Sequence, residues 1–114
     1  MSKFIAFSNQ RNKYNSKKTM YNGRSYDSAL EASYAKELDW RKKAKEIKEI
    51  VPQFKLELYV SDKLICNYYV DFKVVLCDGV IEYHEVKGFE TDVWRIKWKL
   101  AHALFGKENF VLIK

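Results

Sequence analysis

Hydrophobic positions recur along this chain with two periods, and each period marks an element. In FKLELYV, residues 54–60, Phe54, Leu56, Leu58 and Val60 alternate with other side chains, which predicts a strand with one covered face. YYVDFKVVL (68–76) and VIEYHEVK (80–87) read as two further strands, divided by the turn residues CDG. NFVLI (109–113) is short and nearly all apolar, the pattern of a strand covered on both faces. Fourfold spacing takes over in SALEASYAKELDWRKKAK (28–45), where Leu30, Tyr34 and Leu38 share one helical face and Ser28 with Glu31 fits a capping box. Pro52 rules out extending that helix into the first strand. A second helix is expected from Asp92 to Phe105, opened by Thr91 or Asp92 and closed by Gly106. TMYNGRSY (19–26) reads as a small hairpin, with Asn22-Gly23 supplying the positive φ angles of a tight turn. After this hairpin the order is helix, three strands, helix, strand. That order predicts an α/β fold with a mixed sheet, its last strand parallel to the third through a right-handed crossover.

The loop CDG decides which side chains share a face. A two-residue loop at Asp78-Gly79 places Asp71 opposite Val86, with Asp71 and Glu85 on different faces. A three-residue loop, with Gly79 in the left-handed conformation, places Asp71 directly opposite Glu85. The second register also sorts the side chains better. It groups Phe72, Val74, Leu76, Val80 and Val86 on a core face, with Glu82 and His84 at its less apolar end. Asp71, Lys73, Tyr83, Glu85 and Lys87 share the other face. The three-residue loop is therefore expected, and His84, facing away from Glu85, is read as structural.

Two opposed carboxylates about 4 Å apart repel by roughly 4 kcal/mol at an effective dielectric near 20. Either Lys87 neutralises the pair, or a divalent cation turns the repulsion into a ligand set. Hard oxygen donors favour Mg²⁺ or Mn²⁺ over Zn²⁺. Glu31 falls beside Ala35 and Leu38 on the helical wheel, pointing towards the body of the protein, and it also serves the cap.

Charge adds a partner class. Residues 1–26 carry Lys3, Arg11, Lys13, Lys17, Lys18 and Arg24 and no acid, while the remainder balances, so the whole excess of +6 lies at the N-terminus. An arm of residues 1–18 with this bias suits a polyanion such as DNA, or is a solvated tail. No apolar run approaches the roughly 18 residues of a membrane span, and FIAFS is too short for a signal-peptide core, so a cytoplasmic location without membrane attachment is expected. Cys66 and Cys77 lack metal-ligand spacing and read as reduced and structural.

On the second helix, Asp92, Arg95, Lys99 and His102 form the polar side. Val93, Trp94, Leu100, Ala101, Leu104 and Phe105 form the apolar one. Lys97 falls within the apolar side and must either snorkel to water or meet an anion, such as the acids of the site. Trp94 and Trp98 read as packing or dimer surface. Gln53 is either a surface residue beside Pro52 or a secondary contact of the site.

Four stretches, YNGRSYDSALEASYAKEL, VPQFKLEL, YYVDFKVVL and EVKGFETDVWRIKWKLA, resemble the PD-(D/E)XK nuclease superfamily, and within it small phage- and prophage-encoded endonuclease domains of junction-resolvase type. Val70 stands where the superfamily's nominal motif has proline, a position that varies widely there. The resemblance implies a restriction-endonuclease-like core over residues 19–114. It implies that Asp71, Glu85 and the Val86 carbonyl hold Mg²⁺, with Mn²⁺ as substitute. Lys87 would orient water and stabilise charge at the phosphate, and Glu31 would position water or help a second metal. Arg95 and Lys99 would join the basic arm on DNA. The implied activity is Mg²⁺-dependent endodeoxyribonuclease action in a bacterial host cell, selective for branched DNA. A chain this small has little room for a separate sequence-reading domain, which favours recognition of shape. Two symmetric cuts imply a homodimer. A nuclease indifferent to branches, and a nucleic-acid-binding module with an inactive site, are the alternatives.

Overall fold

The computed structural model describes residues 18–114. The described residues divide into two units, residues 18–37 and 38–114.

In the first unit, β1 (Thr19–Tyr21) and β2 (Arg24–Tyr26) form the expected hairpin. Asn22 and Gly23 have φ of 54° and 80°, the two positive angles a tight hairpin turn requires. Helix α1 (Ala29–Lys43) starts where Ser28 Oγ accepts a hydrogen bond from the Glu31 N–H at 3.1 Å. Leu30 is 40% exposed, against the wheel reading. The buried line runs instead through Glu31, Tyr34, Ala35 and, on the second unit, Leu38.

In the second unit, α1 ends in a Schellman motif. Glu46 N–H donates to the Arg41 carbonyl and Lys45 N–H to the Lys42 carbonyl, with Lys45 at φ 66°. That position normally takes glycine, since a side chain in the left-handed region costs about 1 kcal/mol. Lys45→Gly is expected to raise stability by up to about 1 kcal/mol, read as a higher denaturation midpoint at unchanged slope. An unchanged or lower midpoint would show that the lysine side chain offsets its backbone strain.

Four strands follow in the order β3 (Ile47–Val60), β4 (Lys63–Leu76), β5 (Ile81–Val86) and β6 (Phe110–Ile113). β3 begins seven residues before the alternating stretch and passes through Pro52. It lies at the sheet edge, where a missing N–H is tolerated. Ser61 and Asp62, at φ 50° and 66°, turn it tightly into β4. The three-residue loop is confirmed. Leu76 N–H donates to the Val80 carbonyl at 2.8 Å, and Gly79 sits at φ 94°. Cys77 stands exposed in this turn rather than structural, and Cys66 is half-buried; both are free.

Helix α2 (Asp92–Phe105) is capped by Thr91, whose Oγ1 accepts from the Trp94 N–H, and by Gly106. It carries the chain to β6, which lies parallel to β5 as expected. Leu56, Leu58, Tyr68 and Val70 pack with Trp94 and Ala101 of α2 on one face of the sheet. Phe72, Val74 and His84 are buried on the other. There His84 Nε2 donates to Glu82 Oε1 at 2.8 Å, and burial holds His84 below its ordinary pKa.

α2 is rotated from the wheel reading: Val93, Leu104 and Phe105 are exposed. Trp94 and Trp98 stack at 5.2 Å, and Trp98 lies 4.4 Å from the His102 ring and 5.5 Å from Phe110. The Trp98 ring and His102 turn inward against Phe110, taking His102 off the expected polar side, while Lys97 stays half-buried on the side the wheel gave it. Among the described residues, no helix is long and apolar enough to cross a membrane.

Candidate functional site

β4 and β5 pair in the register Lys73↔Tyr83 and Phe72↔His84, and one step further the same register sets Asp71 across from Glu85. Plain alternation does not describe β4 here. Val70 belongs to the core beneath α2, and Lys73, three residues on, sends its Nζ to 4.6 Å from the Phe54 ring of the same cluster. Alternation would put Val70 and Lys73 on opposite faces, so β4 changes parity between them. On β3, Pro52↔Phe72 and Phe54↔Val70 keep one register, and Gln53, between them, has φ 51°.

This shift gives Asp71 its role. Its Oδ2 accepts a hydrogen bond from the Val86 backbone N–H at 2.8 Å, and its Oδ1 accepts a long one from Gln53 Nε2 at 3.4 Å. Glu85 is held from the other side. Tyr68 donates its hydroxyl hydrogen to Glu85 Oε1 at 2.6 Å, and Lys87 Nζ lies 3.8 Å from Oε2. Lys87 also sits 5.4 Å from the centre of the Trp94 ring. Both carboxylates are buried, Glu85 to 3% exposure and Asp71 to 9%.

Residues 11–113 match the family model described as a protein of unknown function, DUF1064. The chain belongs to the DUF1064 family. No curated protein and no solved structure gives a match.

In this DUF1064 chain the matched span contains Gln53, Tyr68, Asp71, Glu85 and Lys87. Burial, then the charge of Asp71, pushes Glu85 up to about 8. Burial also pushes Asp71 up, against the opposing effect of the Val86 N–H. Burial, and then Glu85, raises Tyr68, so the phenol keeps its proton as a donor. Lys87 alone thus leaves the pair short of positive charge, and near neutral pH the two acids retain a proton between them. A hard divalent cation fits this donor set, because it would supply the missing charge to paired carboxylate oxygens. Among the described residues no three His, Cys, Asp or Glu side chains converge as a metal cluster, so the set here is two carboxylates.

The other expected residues are distributed around the DUF1064 fold. Glu31 belongs to the first unit, 7% exposed at the start of α1. Lys97 is not brought to the acids; its Nζ donates to the Asn67 carbonyl at 3.0 Å, and this backbone acceptor satisfies it. Arg95 pairs with Glu90 and Asp92, and Lys99 is exposed. Lys18 pairs with Asp27 at 3.1 Å, and Arg24 lies 6.0 Å from the Tyr26 ring centre. Lys3, Arg11, Lys13 and Lys17 lie outside the described residues. Tyr68 is the site residue that sequence reasoning missed. Alternation puts it on the face opposite Asp71, and only the parity change brings it to Glu85.

Proposed function

We propose that this chain is a metal-dependent endodeoxyribonuclease that hydrolyses phosphodiester bonds in branched DNA as a homodimer. The observation that carries the reading is the buried Asp71–Glu85 pair with Lys87 Nζ 3.8 Å from Glu85. Asp71, Glu85 and the Val86 carbonyl would hold Mg²⁺ or Mn²⁺. The bound ion supplies Lewis-acid polarisation of the phosphate and a nucleophilic water near neutral pH. The chain's own groups do the rest. The Val86 N–H and Gln53 orient Asp71. The Lys87 ammonium is poised to orient the water and to stabilise charge developing on the phosphate. Preference for branches, and the second copy needed for paired cuts, follow the resemblance to phage junction enzymes.

The test is to incubate the protein with a four-way junction, linear duplex and single strand, with Mg²⁺ and with chelator. Cleavage confined to the junction and dependent on Mg²⁺ is the expected result. Equal cleavage of all three removes the branch selectivity, and binding without cleavage makes the chain a recognition module.

The basic arm gives a separate prediction. Removing residues 1–18 deletes Lys3, Arg11, Lys13, Lys17 and Lys18. If each meets a phosphate, the slope of log K against log salt should fall by about 4–5 units, at roughly 0.9 per contact. An unchanged slope would show that the arm does not bind DNA.

A further inference from the structure

Tyr68 and Glu85 are joined side chain to side chain across the sheet. The phenol is buried in the cluster of Leu56, Val70 and Trp94, so the direction of its hydroxyl is fixed by packing. It donates to Oε1 at 2.6 Å, while Oε2 is the oxygen near Lys87. Trp94, from the same cluster, lies beneath the Lys87 ammonium. Two aromatic residues of one core cluster thus contact the carboxylate and the lysine of the proposed site.

We infer that Tyr68 is a positioning residue for the metal centre, tethering Glu85 Oε1 so that Oε2 is presented to the cation. This rests on the metal-site reading above. Asp71 is tethered in the same sense, with Oδ2 on the Val86 N–H and Oδ1 only weakly engaged by Gln53. Each acid therefore has one oxygen held by a short hydrogen bond and one engaged only at longer range, Oε2 by Lys87 at 3.8 Å and Oδ1 by Gln53 at 3.4 Å. Without the phenol hydroxyl, Oε1 is a buried acceptor with no partner, and the anionic form that a cation requires becomes costlier. The carboxylate is also free to rotate towards Lys87. Groups that orient a ligand from behind are typically worth about 10–100-fold in metal affinity.

Tyr68→Phe removes one oxygen and keeps the packed ring. The measurements are Mn²⁺ binding by titration calorimetry without DNA, and junction cleavage as a function of Mg²⁺. The expected result is an Mn²⁺ affinity about tenfold weaker or more, a matching rise in half-saturating Mg²⁺, and a saturated rate within about threefold of wild type. Leu58→Val, in the same core but without a polar link to Glu85, is expected to bind Mn²⁺ as wild type does.

Wild-type affinity in Tyr68→Phe overturns the inference and leaves the metal site intact. So does an equal loss in Leu58→Val, which would trace the effect to packing alone. A collapsed saturated rate at unchanged affinity also overturns it. Absence of Mn²⁺ binding by the wild-type protein removes the metal-site reading, and this inference with it.

Discussion

Glu85→Gln is expected to abolish Mg²⁺-dependent cleavage and, in the metal-free protein, to raise stability at pH 8. The first effect follows from removing half of the carboxylate pair. The second follows from proton linkage. Folded Glu85 holds its proton up to about pH 8, whereas an unfolded glutamate releases it near 4.5. Between those values the folded state binds more protons than the unfolded one. Stability is therefore fully present below about pH 4.5 and is lost as pH rises towards 8, by at most about 1.4 kcal/mol per pH unit per proton. Glutamine has no proton to lose, so this slope should disappear in the variant. Mg²⁺ should stabilise wild type at pH 8 and leave Glu85→Gln nearly unaffected. Urea denaturation at pH 5, 6.5 and 8, with and without Mg²⁺, reads all of this. A wild-type stability that does not fall across the range, or a variant that cleaves at the wild-type rate, defeats the assignment. Asp71→Asn should abolish cleavage in the same way.

Lys87→Met should separate holding the cation from using it. The methionine stem can keep the packing on Trp94, while the charge beside the phosphate is lost. Removing one preorganised group of this kind costs about 10²–10³ in rate, or roughly 3–4 kcal/mol in the barrier. Mn²⁺ affinity should fall little, since the lysine repels the cation as well as attracting Glu85. Single-turnover cleavage at saturating Mg²⁺, set beside calorimetry, measures both quantities. A wild-type rate would reduce Lys87 to an ion-pair partner of Glu85.

Local signals settled much of the fold. The CDG loop could be resolved from sequence because parity allows only one register in which acids and apolar residues both segregate. Thr91 and Gly106 bounded α2 for equally local reasons. What escaped depended on neighbours distant in the chain. Pro52 reads as a breaker until β3 is known to be an edge strand. Lys45 closes α1 in a left-handed conformation that usually takes glycine, and no residue type there signals the stop. Trp98 and His102 meet Phe110, a contact the wheel does not contain, and Lys97 finds the Asn67 carbonyl instead of the acids. Asp71, Glu85 and Lys87 were legible from spacing within and across two strands. Tyr68 was not, because a change of face inside β4 leaves no mark in hydropathy.

The hydrogen bond from the Val86 amide to Asp71 makes one backbone position a witness to the state of the site. That amide proton points at a carboxylate where a regular ladder would offer it a carbonyl. Its magnetic environment depends on whether Asp71 is anionic, protonated or shared with a cation, whereas a peptide acceptor would barely change. In a nitrogen–proton correlation spectrum, the Val86 resonance would act as an intrinsic ligand gauge, readable without DNA, dye or turnover.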